Sequence, residues 1–430
     1  MSNWSALQVR TLILCFVLNM LDGADVLVVS FVAPVLTEEW QVSDAAFGLV
    51  FSSGLAGMTL GALFLAPFAD TYGRKKVIVL ASVIIGLGML LSALATSLTM
   101  LAVLRVITGL GIGSILASVA ALASEYAPDR YRAFAVTTAT AGYPAGATLA
   151  GLAGSWIIPE FGWQGMFVLI GLASAIIVPV VLVALPESID FLLARQPRGA
   201  LAKANRYLAA QRLAEIEALP EGRSASKSPP IAKLFGSSYR LGTILLWGAF
   251  FASFFTLYFL TSWIPRLAIA AGYSLATAIN GSAVFNLGAL VGLFCLGWIA
   301  AKFELALLIV GFFILAFLAM LAFGAVHTPV LIFFIGLFAI GFLVQGGFGG
   351  LYAVAAKLYP AEFKTTGVGW GIGIGRLGAV AGPAVGGVAL SSGHSLFASF
   401  LVFAVPMLLA ALLTGLIARF CLAAEASDKG

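Results

Sequence analysis

Ala69–Lys76 reads ADTYGRKK, an island of one acid and three bases where two apolar runs, 45–69 and 77–96, meet. Each run is about 20 residues or longer, the length a helix needs to cross ~30 Å of hydrocarbon at ~1.5 Å per residue. Outward from this island the pattern repeats. Charges, prolines and polar clusters divide the chain into spans near 11–36, 45–69, 77–96, 100–124, 133–157 and 165–185, then near 240–264, 275–300, 305–325, 329–356, 366–390 and 395–420. The 430 residues are 61% apolar and 10% charged, with a mean hydropathy of +1.08. Soluble domains are only ~45–50% apolar, so a soluble globule is excluded and an all-α membrane protein of twelve helices is expected.

The net charge of +5 says less than its distribution. Arg105 and Arg376 lie inside spans; with the N-terminus inside, 20 of the other 21 basic residues fall on one side of the membrane and only Arg266 on the other. Basic loop residues are retained in the cytoplasm, so both termini are expected there, in a cell inner membrane. The opening apolar run continues for over 20 residues, which reads as a retained first helix rather than a cleaved signal peptide. No nucleic-acid partner is indicated. Cys15, Cys295 and Cys421 show no paired spacing, and His327 and His394 are the only histidines, so neither a disulfide framework nor a metal or other cofactor is called for.

Three segments follow: an N-terminal six-helix bundle over 1–186, a hydrophilic connector over 187–239, and a C-terminal six-helix bundle over 240–430. The connector's middle, GALAKANRYLAAQRLAEIEAL, is rich in helix formers and loosely amphipathic, and ASKSPP ends it, as expected of a cytoplasmic link along the membrane surface. The bundles are weakly repeated at an offset of 231–232: APFADTYG falls opposite GWIAAKFE, and YAPDRYR opposite LYPAEFK. Paired six-helix halves are the construction of transporters with a site near mid-membrane.

At this point the residues resemble a family. ADTYGRKK after the second span is similar to the loop signature of the major facilitator superfamily, and RVITGLGIG on the fourth to that superfamily's helix-four motif. More narrowly, LDGAD on the first span, SEYAPDRYR after the fourth, LPES after the sixth, and YPAEFKTTGVGWGIGIGRLGAVAGP across the tenth and eleventh resemble the aromatic acid:proton symporters. The resemblance implies uptake of a benzoate- or hydroxybenzoate-type anion with protons, by alternating access. Two departures stand out. Ala24 occupies a place that is usually aromatic in the family's first-helix motif, and in the second half Ala301 and Glu304 replace the loop acid and glycine, so the expected inner gate leans on Asp70.

Asp22, Asp25, Arg105 and Arg376 are the only full charges inside the spans, away from their ends. Each costs on the order of 2.5–3.5 kcal/mol near the bilayer centre, which marks them as functional candidates. Asp22 and Asp25 are three apart and share one face of the first helix. Two carboxylates in one dry site resist ionising together, which equips one of them to carry a proton. The guanidinium of Arg376, halfway along the eleventh span, suits a substrate carboxylate, because its planar fork keeps its charge when desolvated. Arg105 either binds substrate or pairs with an acid of the first helix. Phe254, Phe255, Tyr258 and Trp263 give the seventh span an aromatic surface on which a ring can stack, at ~0.5–1.5 kcal/mol per pair. Tyr143, Asn286, Gln345 and Trp370 are further polar or aromatic candidates within spans.

Asp70, Gly73, Arg74, Glu125, Arg130 and Arg132 gather at the ends of spans two and four, as expected of a gate built from ion pairs and helix termini. Glycines recur every four residues, at 57/61, 109/113, 142/146 and 378/382/386, where they allow helix backbones to approach closely. GLGIGS at 109–114 follows no strand and lies within a span, so it is no dinucleotide loop. GYPAGATLAG and GAVAGPAVGG are only weakly similar to an exporter pattern. A monomeric proton symporter of an aromatic carboxylate is the leading expectation; a non-aromatic organic or sugar acid is the alternative substrate, and a proton-driven drug exporter, which the buried arginines oppose, comes after it. A membrane enzyme is not expected.

Overall fold

The computed structural model describes residues 4–211, 213–219, 231–237, 239–300, 302–325, 329–360, 364–392 and 396–422. The ASKSPP stretch, Ala301, His327, His394 and the side chain of Asp129 lie outside the described residues. All regular structure among those described is helical.

Among the described residues, eleven segments are long and apolar enough to span a bilayer, and one of them, Phe134–Ala184, is 51 residues long. It is two helices. Gly162, at φ 70° and ψ 177°, leaves helical geometry in a region that favours glycine, soon after Pro159. The twelve spans are α1 (Ala6–Glu39), α2 (Asp44–Leu60), α3 (Arg74–Ser92), α4 (Leu98–Tyr126), α5 (132–161) and α6 (163–184), then α9 (Arg240–Ala270), α10 (Leu275–Ile299), α11 (Leu305–Ala325), α12 (Val330–Leu358), α13 (Lys364–Ser391) and α14 (Leu396–Ile417). Two short connector helices, α7 (Ile189–Arg195) and α8 (Ala200–Ala210), stand between the sets. Side-chain oxygens of Ser97 and Ser274 accept the N–H groups of Met100 and Thr277, which starts α4 and α10. Beyond α2 the helix widens into a π-turn at Gly61–Leu65, where Ala66 N–H reaches the Gly61 carbonyl; Pro67, which has no N–H to donate, follows.

Two compact units emerge: 1–28 with 53–149 and 157–226, and 29–52 with 150–156 and 227–430. They do not follow the sequence halves, because the later part of α1, the first part of α2 and a short piece of α5 sort with the second. In the first unit, α1 crosses α5 where Gly23 lies on the Tyr143 carbonyl and Gly146 on that of Met20. α2 crosses α4 where Gly57 lies against Val106 and Gly113 against Met58. The second unit repeats the arrangement. Gly378 and Gly382 of α13 lie on the Phe251 and Phe255 carbonyls of α9, and Gly288 and Gly292 of α10 on those of Phe338 and Phe342 of α12. In each case a Cβ would occupy the neighbouring carbonyl oxygen's place.

Within the second unit the first part of α2 is bonded to α9 and α13. Arg266 donates from Nε and Nη2 to the two carboxylate oxygens of Asp44, at 2.8 and 3.3 Å. Ala45 N–H donates to Ser391 Oγ (2.8 Å) and Ser52 Oγ to the Val380 carbonyl (2.7 Å). Phe51 meets Trp263 edge-on, and the Trp263 indole N–H donates to the Pro383 carbonyl at 2.9 Å.

The connector folds as a hairpin around Leu192, Ala200 and Ala204. The Asn205 amide accepts from Ile216 N–H and donates to its carbonyl, and Gln8 at the start of α1 donates to Gln211.

Candidate functional site

In the first unit, Asp22 and Asp25 are 2% and 1% exposed. Arg105 of α4, equally buried, donates from Nη1 to Asp25 Oδ1 at 2.8 Å, and from Nη2 to Ser92 Oγ of α3 at 2.9 Å, with the sulfur of Met89 at 3.1 Å. The Phe167 ring of α6 lies 5.3 Å from the guanidinium carbon. Arg105 is thus paired with an acid of the first helix, one of the two roles open to it from sequence. Asp22 makes no ion pair with a described residue, and its Oδ2 has no hydrogen-bond partner among them. One turn earlier, the Asn19 amide donates to the Cys15 carbonyl instead. Gly23 sets α1 hard on the backbone of Tyr143, which brings that tyrosine to the same crossing.

In the second unit, α9, α12 and α13 build an aromatic box. Phe254 stacks on Tyr258 with ring centres 5.9 Å apart and meets Phe348 of α12 edge-on at 4.7 Å. Phe250 and Phe348 each present an edge contact to Tyr352 at 5.4 Å. Gly375 makes room, because a Cβ there would run into the Phe254 ring. Arg376 follows directly. Its side chain is partly open and makes no ion pair or hydrogen bond with a described residue. Tyr352 and Phe348 are the residues sequence reading missed. Their four-residue spacing, the same as that of Phe250, Phe254 and Tyr258, was the available signal.

The other candidates are dispersed. Asn286 bonds within α10, to the Ser282 carbonyl at 2.8 Å, and Gln345 lies one turn before Phe348. Trp370 stacks on Trp247 with centres 6.1 Å apart; six residues before Arg376, it stands about 9 Å further along α13, outside the box. Phe255 stacks on Phe403 at 5.4 Å and Trp263 bonds to Pro383, so both serve packing.

At the end of the first unit near the connector, Gly73 takes φ +104° and a Cβ there would strike the Glu187 carboxylate. That carboxylate accepts the N–H groups of Lys75 (3.1 Å) and Ser188 (2.9 Å), a placement that complements the positive end of α3. Arg74 pairs with Glu125, with the carboxylates of Asp70, Asp190 and Glu187 around it. Tyr126 donates to the Glu187 carbonyl at 2.6 Å, and Arg195 to that of Asp70 at 3.0 Å. Arg130 lies over the Tyr131 ring, and the Arg132 side chain is exposed. Glu187 is the organiser that sequence reading left out of the gate, although the LPES that contains it was legible. Among the described residues, no cluster of three or more His, Cys, Asp or Glu is set to hold a metal.

The sequence pattern of the Major Facilitator Superfamily matches residues 14–350. The chain belongs to the major facilitator superfamily. As a major facilitator it is a membrane-spanning transporter and not an enzyme. Among its relatives are a gallate transporter of Pseudomonas putida, 36% identical over 95% of this chain and 91% of that one, and the 4-hydroxybenzoate transporter PcaK of Pseudomonas aeruginosa, 34% identical over 96% and 94%. These relatives agree with the resemblance carried by LDGAD and GIGRLGA. The solved structure of a bacterial homolog to the human lysosomal transporter Spinster superposes with a TM-score of 0.74 at 18% identity, covering 98% of this chain and 99% of that one, which bears out the twelve-helix fold.

Proposed function

We propose that this major facilitator carries a benzoate- or hydroxybenzoate-type anion into the cell together with a proton, by alternating access across the inner membrane, with both termini cytoplasmic. The observation that carries the proposal is Arg376, a guanidinium with no acid partner among the described residues, next in chain to Gly375, which packs on the Phe254 ring of a wall continued by Tyr258 and Phe348. A fork of fixed positive charge takes a carboxylate, and the box takes the ring. The gallate and 4-hydroxybenzoate transporters named above put ring acids first among candidates.

Asp22 is the proton carrier in this reading. Asp25 and Arg105 cancel each other's charge. A second ionised carboxylate beside them would be uncompensated in a dry site, at a cost of several kcal/mol. Asp22 therefore holds a proton while its surroundings are closed and releases it when they hydrate. Asp70, Arg74, Glu125 and Glu187 hold the connector-side ends of the first unit's helices together, and their release accompanies the change of access.

Uptake of labelled 4-hydroxybenzoate and gallate into proteoliposomes is the test. Acid outside should drive accumulation, a protonophore should abolish it, and unlabelled benzoate should compete. Equal competition by an aliphatic or sugar acid would replace the aromatic assignment with the broader one, and accumulation indifferent to the pH gradient would remove the proton.

A further inference from the structure

We infer that Tyr352 is a second anchor for the substrate carboxylate, donating its phenol O–H to the anion that Arg376 holds; this rests on the reading of the Arg376 box given above. Tyr352 belongs to the bundle interior, with Phe250 and Phe348 packed edge-on against its ring, yet it remains 36% exposed. The uncovered part of the residue is what a ligand can reach. Its hydroxyl, like the Arg376 guanidinium, has no hydrogen-bond partner among the described residues, although Arg376 and Tyr258 are the groups that act on it electrostatically. Two donors that act on each other electrostatically without bonding each other are able to share one acceptor.

Helix geometry explains the convergence. α12 ends and α13 begins on one side, joined through 359–363. Tyr352 stands six residues from the end of α12, about 9 Å in, and Arg376 twelve from the start of α13, about 18 Å in. Side chains lean toward the N-terminus of their own helix. Tyr352 therefore leans deeper and Arg376 back toward the connector-side end, so the two side chains converge on an intermediate level. An arginine supplies five donors and a tyrosine one, and the acceptor that satisfies both is an oxyanion with several lone pairs. Arg376 sets the plane of the carboxylate; Tyr352 selects which way the ring leaves it, along Phe254 and Phe348.

The test is binding of benzoate and 4-hydroxybenzoate to the purified full-length protein by calorimetry, with Tyr352→Phe, Arg376→Gln and the double variant, and melting temperatures taken alongside. Tyr352→Phe keeps the ring and loses only the donor. It should weaken both ligands about five- to tenfold with an unchanged melting temperature. In the Arg376→Gln background the same change should have much less effect, a coupling that a merely structural tyrosine would not give. Wild-type affinity in Tyr352→Phe, or full additivity of the two changes, would overturn the assignment while leaving the box intact. Failure of the wild type to bind any ring acid would instead overturn the proposed function. If Tyr352→Phe melts early, Tyr352→Trp, which fills the site and places its donor elsewhere, should fold and bind weakly; tight binding by that variant would also overturn it.

Discussion

Asp22 and Asp25 are one helical turn apart and equally buried, yet among the described residues only Asp25 has a cation against it. Asp25→Asn leaves Arg105 as an uncompensated buried charge, and breaking such a pair costs about 3–5 kcal/mol. The melting temperature of that variant should fall clearly, and Asp25→Asn combined with Arg105→Met should recover most of the loss. Asp22→Asn removes no ion pair, so it should melt like the wild type. It should lose accumulation driven by external acid while retaining exchange of labelled for unlabelled 4-hydroxybenzoate, as read in proteoliposomes over a pH series. All four charges in the apolar runs were legible because charge there is costly wherever it occurs. Their partners were not legible. Ser92 and Met89 complete the shell of Arg105 only because α3 packs on α4, and nothing in their own neighbourhood of sequence announces it.

The twelve spans were legible as elements because hydrocarbon thickness fixes their length, and the glycine pairs were legible because of their spacing. Which helix each glycine faces depends on packing. Gly378→Val sets methyl groups against the Phe251 carbonyl, so it should reduce the monodisperse peak in size-exclusion chromatography and lower the melting temperature. Gly311→Ala, with open space at the new Cβ, should be neutral and serves as the control. Gly73 is a different case. Alanine there meets both an unfavourable φ of +104° and the Glu187 carboxylate, so Gly73→Ala should slow transport, and Glu187→Gln should slow it in the same assay. The gate's loop residues could be read from their charges. Glu187 acts across a long sequence separation, on the first turn of α3, and that contact is written only in the fold.

At the scale of the whole molecule, an even number of crossings predicts both chain ends on one face of the membrane. Reporter fusions at either end should give the same sidedness, with the cytoplasm expected from the basic loops. The three segments drawn from chain order and the two compact units divide the protein differently. Chain order follows the internal repeat, whereas compactness follows contacts such as Asp44 with Arg266, which sort the first part of α2 with the second unit.

That single contact also decides how a solute first meets the protein. At that end of the second unit the acids of α1 and α2 are Glu38, Glu39 and Asp44, and Arg266 is already committed to Asp44. An anion that approaches these helix ends meets net negative charge. Capture of the anion should therefore speed up as external salt rises toward physiological strength and screens those carboxylates, the reverse of an electrostatically steered encounter. Protons experience the opposite bias, gathered by the same carboxylates that turn the anion away.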